Sequence, residues 1–192
     1  MRLIFQLLLI CALAGGVGLG LTALAVRHPP PFGLIEAGSW VAIEKEGAPD
    51  VDAYALAALA HRGEAPLSIA DGLIFRARHD ADGNALSGSC SYLIAGALPT
   101  VRVWSLAAFD PEGRPFANES RRFGYSSSDV TRDENGAVEI AVSATAHPGD
   151  WLPVPKNSPL VLVLRLYDTT AAAISGGRTA PELPAIKKIG CD

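Results

Sequence analysis

The sequence predicts a mostly β domain, a sandwich or a barrel with one short helix, behind a single transmembrane helix. Three observations support this prediction. An uncharged apolar run opens the chain, five later segments repeat apolar residues with a period of two, and turn signals separate those segments. The strand-like segments do not alternate with helical ones, which disfavours a doubly wound α/β fold.

The first element is an uncharged run of 24 residues from Leu3 to Val26. A helix needs about 20 apolar residues to cross a bilayer, so this run can span one. A cleaved signal peptide would have an apolar stretch of roughly 7–15 residues and an A-x-A-like site, but this run is longer and no clean site follows it. A lipoprotein signal at Cys11 is disfavoured because Ile10, and not a small residue, precedes it. We therefore predict an uncleaved signal anchor over residues 1–27.

The orientation of this anchor follows from its position at the start of the chain. Only two residues precede the run, which favours an amino terminus in the cytoplasm and a domain outside. Arg2 and Arg27 flank the run on its two sides, so the positive-inside rule adds little. Residues 28–33 are predicted to form a stiff proline-rich spacer. Residues 34–192 are predicted to form the domain.

The charge of that domain excludes one class of function. All 20 acidic residues lie beyond Arg27, against 14 lysines and arginines, because Arg2 and Arg27 are two of the 16 in the chain. A nucleic-acid-binding protein needs a cationic surface, so nucleic-acid binding is excluded.

Beyond the predicted spacer, the sequence predicts one short helix and then strands, because the spacing of its apolar residues changes to a period of two. The segment GAPDVDAYALAALAHRG predicts a short helix, with Asp50 or Asp52 at its N-cap and Gly63 after its end. Five segments predict strands: GLIFRARHDADGN, SCSYLIAGALP, TVRVWSLAAFD, GAVEIAVSATA and SPLVLVLRLYD. In the last of them, four alternating leucines from Leu160 to Leu166 form a core face, and Arg165 and Tyr167 lie on the other face.

Turn signals lie between these strands. The segment HDADGN resembles the start of a calcium loop, but Ser91 stands where the bidentate glutamate would be expected. We therefore interpret it as a hairpin turn. Trp151 lies between Pro148 and Pro153, where the chain is expected to turn, and its ring is expected to plug one end of the core.

The sequence GDWLPVP, followed by LVLRLYD, resembles the domain-of-unknown-function 1214 family. VRVWSLAAFD, DADGNALSGSCSYLIAG and APELPAI extend the resemblance over nearly all of residues 36–192. The resemblance implies a jelly-roll-like antiparallel β-sandwich and implies no activity. The chain looks like the short, membrane-anchored bacterial form, with a span in place of the 1254 half. This likeness implies an anchor in the bacterial inner membrane and a domain on its periplasmic side. Asp150 is a departure, since relatives often have asparagine there.

Two cysteines remain outside the predicted span. Cys90 and Cys191 could pair in an exported domain and tether the carboxyl-terminal tail to a strand, or they could be two free thiols. The spacing of the residues does not decide between the two.

Three residues are candidates for binding a ligand. Arg165 stands between leucines in a strand, where burial is costly unless its donors are accepted. It would either form a structural ion pair, with Glu64, Glu139 or Asp150 as partner, or grip a ligand carboxylate or sugar hydroxyls together with Trp104 and Tyr167. The alternative for Trp104 is a place in the core.

The sequence offers no residues that we assign to catalysis, to a metal or to a cofactor. The four histidines lack metal-binding spacing, and the serines of GYSSSDV lack a nucleophile elbow. We expect a non-enzymatic binding or interaction module whose partner is a small molecule, a glycan or an envelope protein. The alternative is an enzyme acting on envelope glycans or small acidic molecules, which would require two carboxylates at the right separation.

Overall fold

The computed structural model describes residues 2–27, 33–43, 46–62, 65–68, 70–170 and 181–191. Helix α1 (Arg2–Arg27) is long and apolar enough to cross a membrane. Its side chains are exposed from residue 2 to residue 24, and only Ala25 and Val26, near its carboxyl end, are half-buried among those described. The predicted spacer lies, except for Gly33, outside the described residues.

Two β-sheets form the rest of the described structure. The larger sheet contains six strands, in the spatial order β1 (Leu34–Ala37), β2 (Trp40–Ile43), β3 (Gly72–Ala77), β9 (Val161–Tyr167), β5 (Val103–Phe109) and β6 (Gly124–Ser126). The smaller sheet contains four, in the order β10 (Ala185–Cys191), β4 (Cys90–Gly96), β7 (Val138–Ser143) and β8 (Asp150–Pro153). The mostly β prediction is confirmed.

One pair of strands departs from the predicted antiparallel arrangement. Strands β7 and β8 pair in parallel, with Ala141 opposite Trp151, so the smaller sheet is mixed. Only six residues separate the two strands. The segment with Pro148 and Gly149, whose φ is +81°, returns the chain so that β8 runs in the same direction as β7. Trp151 therefore lies within an edge strand, where the sequence predicted a turn.

One hydrophobic core fills the space between the sheets. Phe75 and Leu162 from the larger sheet are fully buried with Ile94 and Ile140 from the smaller one. The predicted leucine face of β9 lies in this core, because its four leucines are at most 3% exposed. Burial of each such side chain contributes about 1.5–3 kcal/mol, so this layer is the main source of stability.

Helix α2 (Ala53–Arg62) interrupts the strands at the predicted place. The Asp52 carboxylate accepts hydrogen bonds from the backbone N–H groups of Tyr54, at 2.9 Å, and Ala55, at 3.2 Å. Asp52 is therefore the N-cap, the second of the two predicted candidates. Gly63, the predicted residue after the helix, lies outside the described residues.

The segment HDADGN forms a tight turn, as predicted, but it carries the chain from one sheet to the other. Strand β3 before it belongs to the larger sheet and β4 after it to the smaller, and one antiparallel bridge joins His79 to Ala85. The buried Asp80 carboxylate accepts hydrogen bonds from the backbone N–H groups of Asp82 and Asn84 at 3.0 and 2.9 Å. Its oxygens stabilise the turn itself. Within the described ranges, no cluster of three or more histidine, cysteine or acidic residues could hold a metal ion.

Candidate functional site

Arg165 lies on the outer face of the larger sheet, in the central strand β9. Its neighbours across the sheet are Ile74 in β3 and Ser105 in β5. The side chain is half-buried, and its guanidinium carbon lies 5.8 Å from the centre of the Phe109 ring. Such a distance is within the range of a cation–π contact.

A cavity of about 180 Å³ opens on this outer face, and Arg165 lines it. The other lining residues that concern its chemistry are Arg76, Arg78, Phe109, Asp110 and Val163. We call this cavity the arginine pocket. Pockets for drug-sized ligands are usually about 300–1,000 Å³, so this one has room for a small molecule or for one polar group of a larger molecule.

Two of the charged groups in or beside the arginine pocket are paired within the protein. Arg76 donates a hydrogen bond of 3.0 Å to Glu46, and both side chains are largely buried. Asp110 accepts a hydrogen bond of 2.6 Å from the side chain of Arg114. Burial raises the pKa of Asp110, but hydrogen bonds from the backbone and side chain of Arg114 outweigh it and hold that pKa below its ordinary value. Asp110 therefore lacks the raised pKa of a general acid at neutral pH.

Arg165 is bound differently from these pairs. Within the described part of the chain its guanidinium makes no hydrogen bond and no ion pair, and the Phe109 ring is the contact that we find. Of the three predicted ion-pair partners, Glu139 and Asp150 lie in the smaller sheet, and Glu64 lies outside the described residues. Asp150 instead accepts a hydrogen bond of 2.7 Å from the backbone N–H of Thr131. The donors of Arg165 thus remain available to an acceptor in the pocket.

The three predicted ligand-binding residues do not form one site. Trp104 is 2% exposed and lies in the core on the opposite face of the sheet from Arg165. Its buried Nε1 has no hydrogen-bond partner among the described residues. Tyr167 shares the outer face with Arg165, two residues further along β9, but it does not line the arginine pocket. The core alternative for Trp104 agrees with this placement.

The sequence analysis missed Phe109 as part of the site. In the predicted strand GLIFRARHDADGN, Arg76 and Arg78 alternate with core residues and so lie on the face opposite to the core, but nothing local links them to Arg165. Those residues are about 90 positions apart in the chain and meet because β3 pairs with β9, with Arg76 opposite Val163. Only this long-range pairing brings the three arginines to one pocket.

Trp151 closes one edge of the sandwich. Its backbone N–H donates to the Tyr125 hydroxyl at 2.8 Å, and that hydroxyl donates to the Trp151 carbonyl at 3.1 Å. Its indole N–H donates to the backbone carbonyl of Ser143 at 3.1 Å. Tyr125 lies in β6 and Trp151 in β8, the end strands of the two sheets. The DWLP segment therefore joins the sheets at this edge.

The opposite edge is closed by Trp40. Its indole N–H donates a buried hydrogen bond of 2.7 Å to the carbonyl of Pro184, just before β10. Trp40 lies in β2, next to the edge strand β1, and β10 is the edge strand of the smaller sheet. At each edge a tryptophan thus links the two sheets.

Cys90 and Cys191 form a disulfide in the structure. They lie opposite each other in β4 and β10. The bond encloses 101 positions of sequence and fixes the carboxyl-terminal strand to the smaller sheet. The sequence left open a disulfide or two free thiols, and the structure contains the disulfide.

These features define a two-sheet β-sandwich with one arginine-lined pocket, behind a helix that could span a membrane. The family described as Protein of unknown function (DUF1214) matches residues 71–171, more than half of the chain. The chain belongs to this family, as its resemblance predicted. No curated protein matches it.

Two solved structures are similar to the chain. The VPA0106 protein from Vibrio parahaemolyticus is 24% identical, with a TM-score of 0.58, over 73% of this chain and 36% of that protein. An uncharacterised protein from Burkholderia cenocepacia is 18% identical, with a TM-score of 0.45, over 88% of this chain and 39% of that one. The chain thus matches little more than a third of either protein's length. The first likeness supports the fold and nothing further.

Proposed function

We propose that this chain is a non-enzymatic binding module anchored in the inner membrane of a bacterium, with its β-sandwich on the periplasmic side. The ligand is a small acidic molecule, or the acidic group of a larger envelope molecule, and it binds in the arginine pocket. Arg165 carries this proposal, because its donors face a cavity and meet no acceptor within the described residues.

The chemistry of the pocket favours an anion. Arg165 lines the cavity without an ion pair among the described residues. Arg76 is instead paired with Glu46, and Asp110, the one carboxylate of the lining, is paired with Arg114. Arginine presents planar, paired N–H donors that match a carboxylate or a phosphate. Phe109 and Val163 add an apolar wall, which suits a ligand that has a short hydrocarbon or ring part beside its acidic group.

Two features support the location. Helix α1 is a candidate membrane span, which supports anchoring. The Cys90–Cys191 disulfide supports an oxidising compartment, because disulfides persist in the periplasm and are rare in the cytoplasm. The disulfide therefore favours the periplasmic side.

Thermal-shift titrations of the full chain in a mild detergent test the binding role. Short carboxylic acids and phosphate esters form the panel, and Arg165→Gln is compared with Arg102→Gln. Arg102 is the matched control, since it pairs with Asp168 on the exposed surface and does not line the pocket. We expect at least one acid to stabilise the wild type and the Arg102 variant. Charged hydrogen bonds contribute about 1.5–3 kcal/mol, so affinity should fall about 10–100-fold in the Arg165 variant.

Two results would contradict this role. One is a panel in which no acid raises the unfolding temperature. The other is an acid that stabilises the Arg165 variant as well as the wild type.

The location is tested separately by placing a cysteine at the exposed turn residue Asn135 and labelling intact cells with a maleimide that does not cross the inner membrane. Labelling only after lysis would place the domain in the cytoplasm.

A further inference from the structure

The outward face of helix α2 is apolar. Ala53, Leu56, Ala57 and Ala60 are exposed at helical spacing, with Tyr54 beside them. On the opposite side Ala58 and Leu59 are buried. A surface helix of a soluble domain normally turns charged or polar residues to solvent, but residues 53–60 contain none that is charged. Over residues 53–60, both faces of α2 are therefore apolar.

The neighbour of α2 is the candidate membrane span. Helix α2 contacts α1. Among the residues of α1 whose side chains are described, the half-buried ones are Ala25 and Val26, near its carboxyl end. The contact therefore lies where α1 would leave the bilayer. If α1 spans the bilayer, an apolar helix beside that point would be at the depth of the lipid headgroups.

We infer that α2 lies on the membrane surface, with its exposed apolar face in the headgroup region of the bilayer. Interfacial helices bury such a face by about 5–10 Å. Tyrosine is enriched at this depth because its ring is apolar and its hydroxyl is polar, which fits Tyr54 at 43% exposure. The contact would hold the domain against the membrane in one orientation. It rests on the anchoring of α1 and is independent of the arginine pocket.

The test places a fluorescent probe on α2 in the full chain. Cys11 is the free cysteine of the described residues, so Cys11→Ser supplies the background and the disulfide is left intact. Leu56→Cys is labelled with an NBD group and reconstituted into phosphatidylcholine vesicles, with and without a nitroxide on the lipid chain near the headgroup. Phe123→Cys is the matched control, because Phe123 is 51% exposed against 54% for Leu56. Phe123 lies next to β6, which forms one edge of the larger sheet. Strand β1, the first strand after α1 in the chain, forms the other edge.

We expect blue-shifted emission at position 56, with loss of intensity when the nitroxide lipid is present, and neither effect at position 123. Emission at position 56 that resembles the control would overturn the inference. A blue shift at position 56 without nitroxide quenching would also overturn it, since the face would then be covered by protein. If the chain does not float with the vesicles, both the inference and the anchoring fail. A floating chain with a water-exposed position 56 overturns the inference alone.

Discussion

The hydroxyl of Tyr125 joins the two sheets, and its removal gives the sharpest test of the fold. Trp151 lies in the edge strand β8, and its N–H and C=O groups point toward Tyr125 and away from the sheet. Tyr125→Phe keeps the ring, which is 6% exposed, and removes the oxygen that serves both groups. The Trp151 carbonyl retains a hydrogen bond of 3.2 Å from Arg122. The Trp151 N–H loses its partner.

The expected cost follows from that unpaired N–H. A donor left unsatisfied in a buried place costs about 1–3 kcal/mol. The contact is only partly buried, so we expect about 1–2 kcal/mol, in the lower part of that range. For a domain of this size, each kcal/mol lowers the unfolding temperature by about 2–4 °C. Tyr125→Phe should therefore lower it by about 2–8 °C.

The assay is thermal unfolding of the full chain in detergent, followed by tryptophan fluorescence and by circular dichroism. Tyr167→Phe is the control, because it makes the same change of side chain at a half-buried position where the hydroxyl makes no hydrogen bond within the described residues. Surface changes of this kind usually alter stability by less than about 0.5 kcal/mol. Equal losses in the two variants, or no loss in Tyr125→Phe, would refute the role of the hydroxyl in joining the sheets.

Three further predictions concern stability. Replacing Cys90 and Cys191 together by serine should lower the free energy of unfolding by about 3–5 kcal/mol, because the disulfide closes a loop of 101 positions. Urea titration measures this loss, and a reductant should destabilise only the wild type. Arg76→Met should lower the free energy of unfolding by about 3–5 kcal/mol, because Glu46 stays buried without its cation. Adding Glu46→Met should recover most of that loss. If the effects of the two changes simply add, the two residues do not stabilise the domain as a pair. Asp80→Asn should destabilise the domain at pH 7. In urea titrations, the difference in unfolding free energy between wild type and variant should shrink as pH falls below about 4. A difference that stays constant with pH would contradict this prediction.

The sign of the last prediction follows from the pKa of Asp80. Burial raises this pKa, but hydrogen bonds from Asn84 and Asp82 and the charge of Lys188 outweigh it and hold the pKa below 3.8. A carboxyl whose pKa is lower in the folded state contributes stability above its unfolded value. That contribution is lost as pH falls through the folded value. The wild type therefore approaches the variant in acid.

Strand periodicity predicted the parts of the fold that are long and alternate regularly. The five predicted strands correspond to β3, β4, β5, β7 and β9. The sequence analysis did not predict β1, β2, β6 and β8, which have only three or four residues, too few to show a period. It also missed β10, in which Lys187, Lys188 and Gly190 interrupt any alternation.

The candidate site was predictable at one residue only. An arginine between leucines in a strand pointed to Arg165, because a charge there needs a special environment. The same periodicity could not reveal which residues face it, since pairing of β9 with β3 and β5 depends on the whole sheet. Trp104 illustrates the limit. Its place in β5 was correct, but the side of the sheet that it faces excludes it from the pocket.

Native mass spectrometry of the full chain, released gently from its own membranes, would show whether the arginine pocket holds a ligand. We expect a small acidic molecule to stay bound to the wild type and to Arg102→Gln and to be absent from Arg165→Gln. A chain that carries no such molecule, or an Arg165 variant that retains it, would contradict the proposal that this pocket binds an acidic ligand.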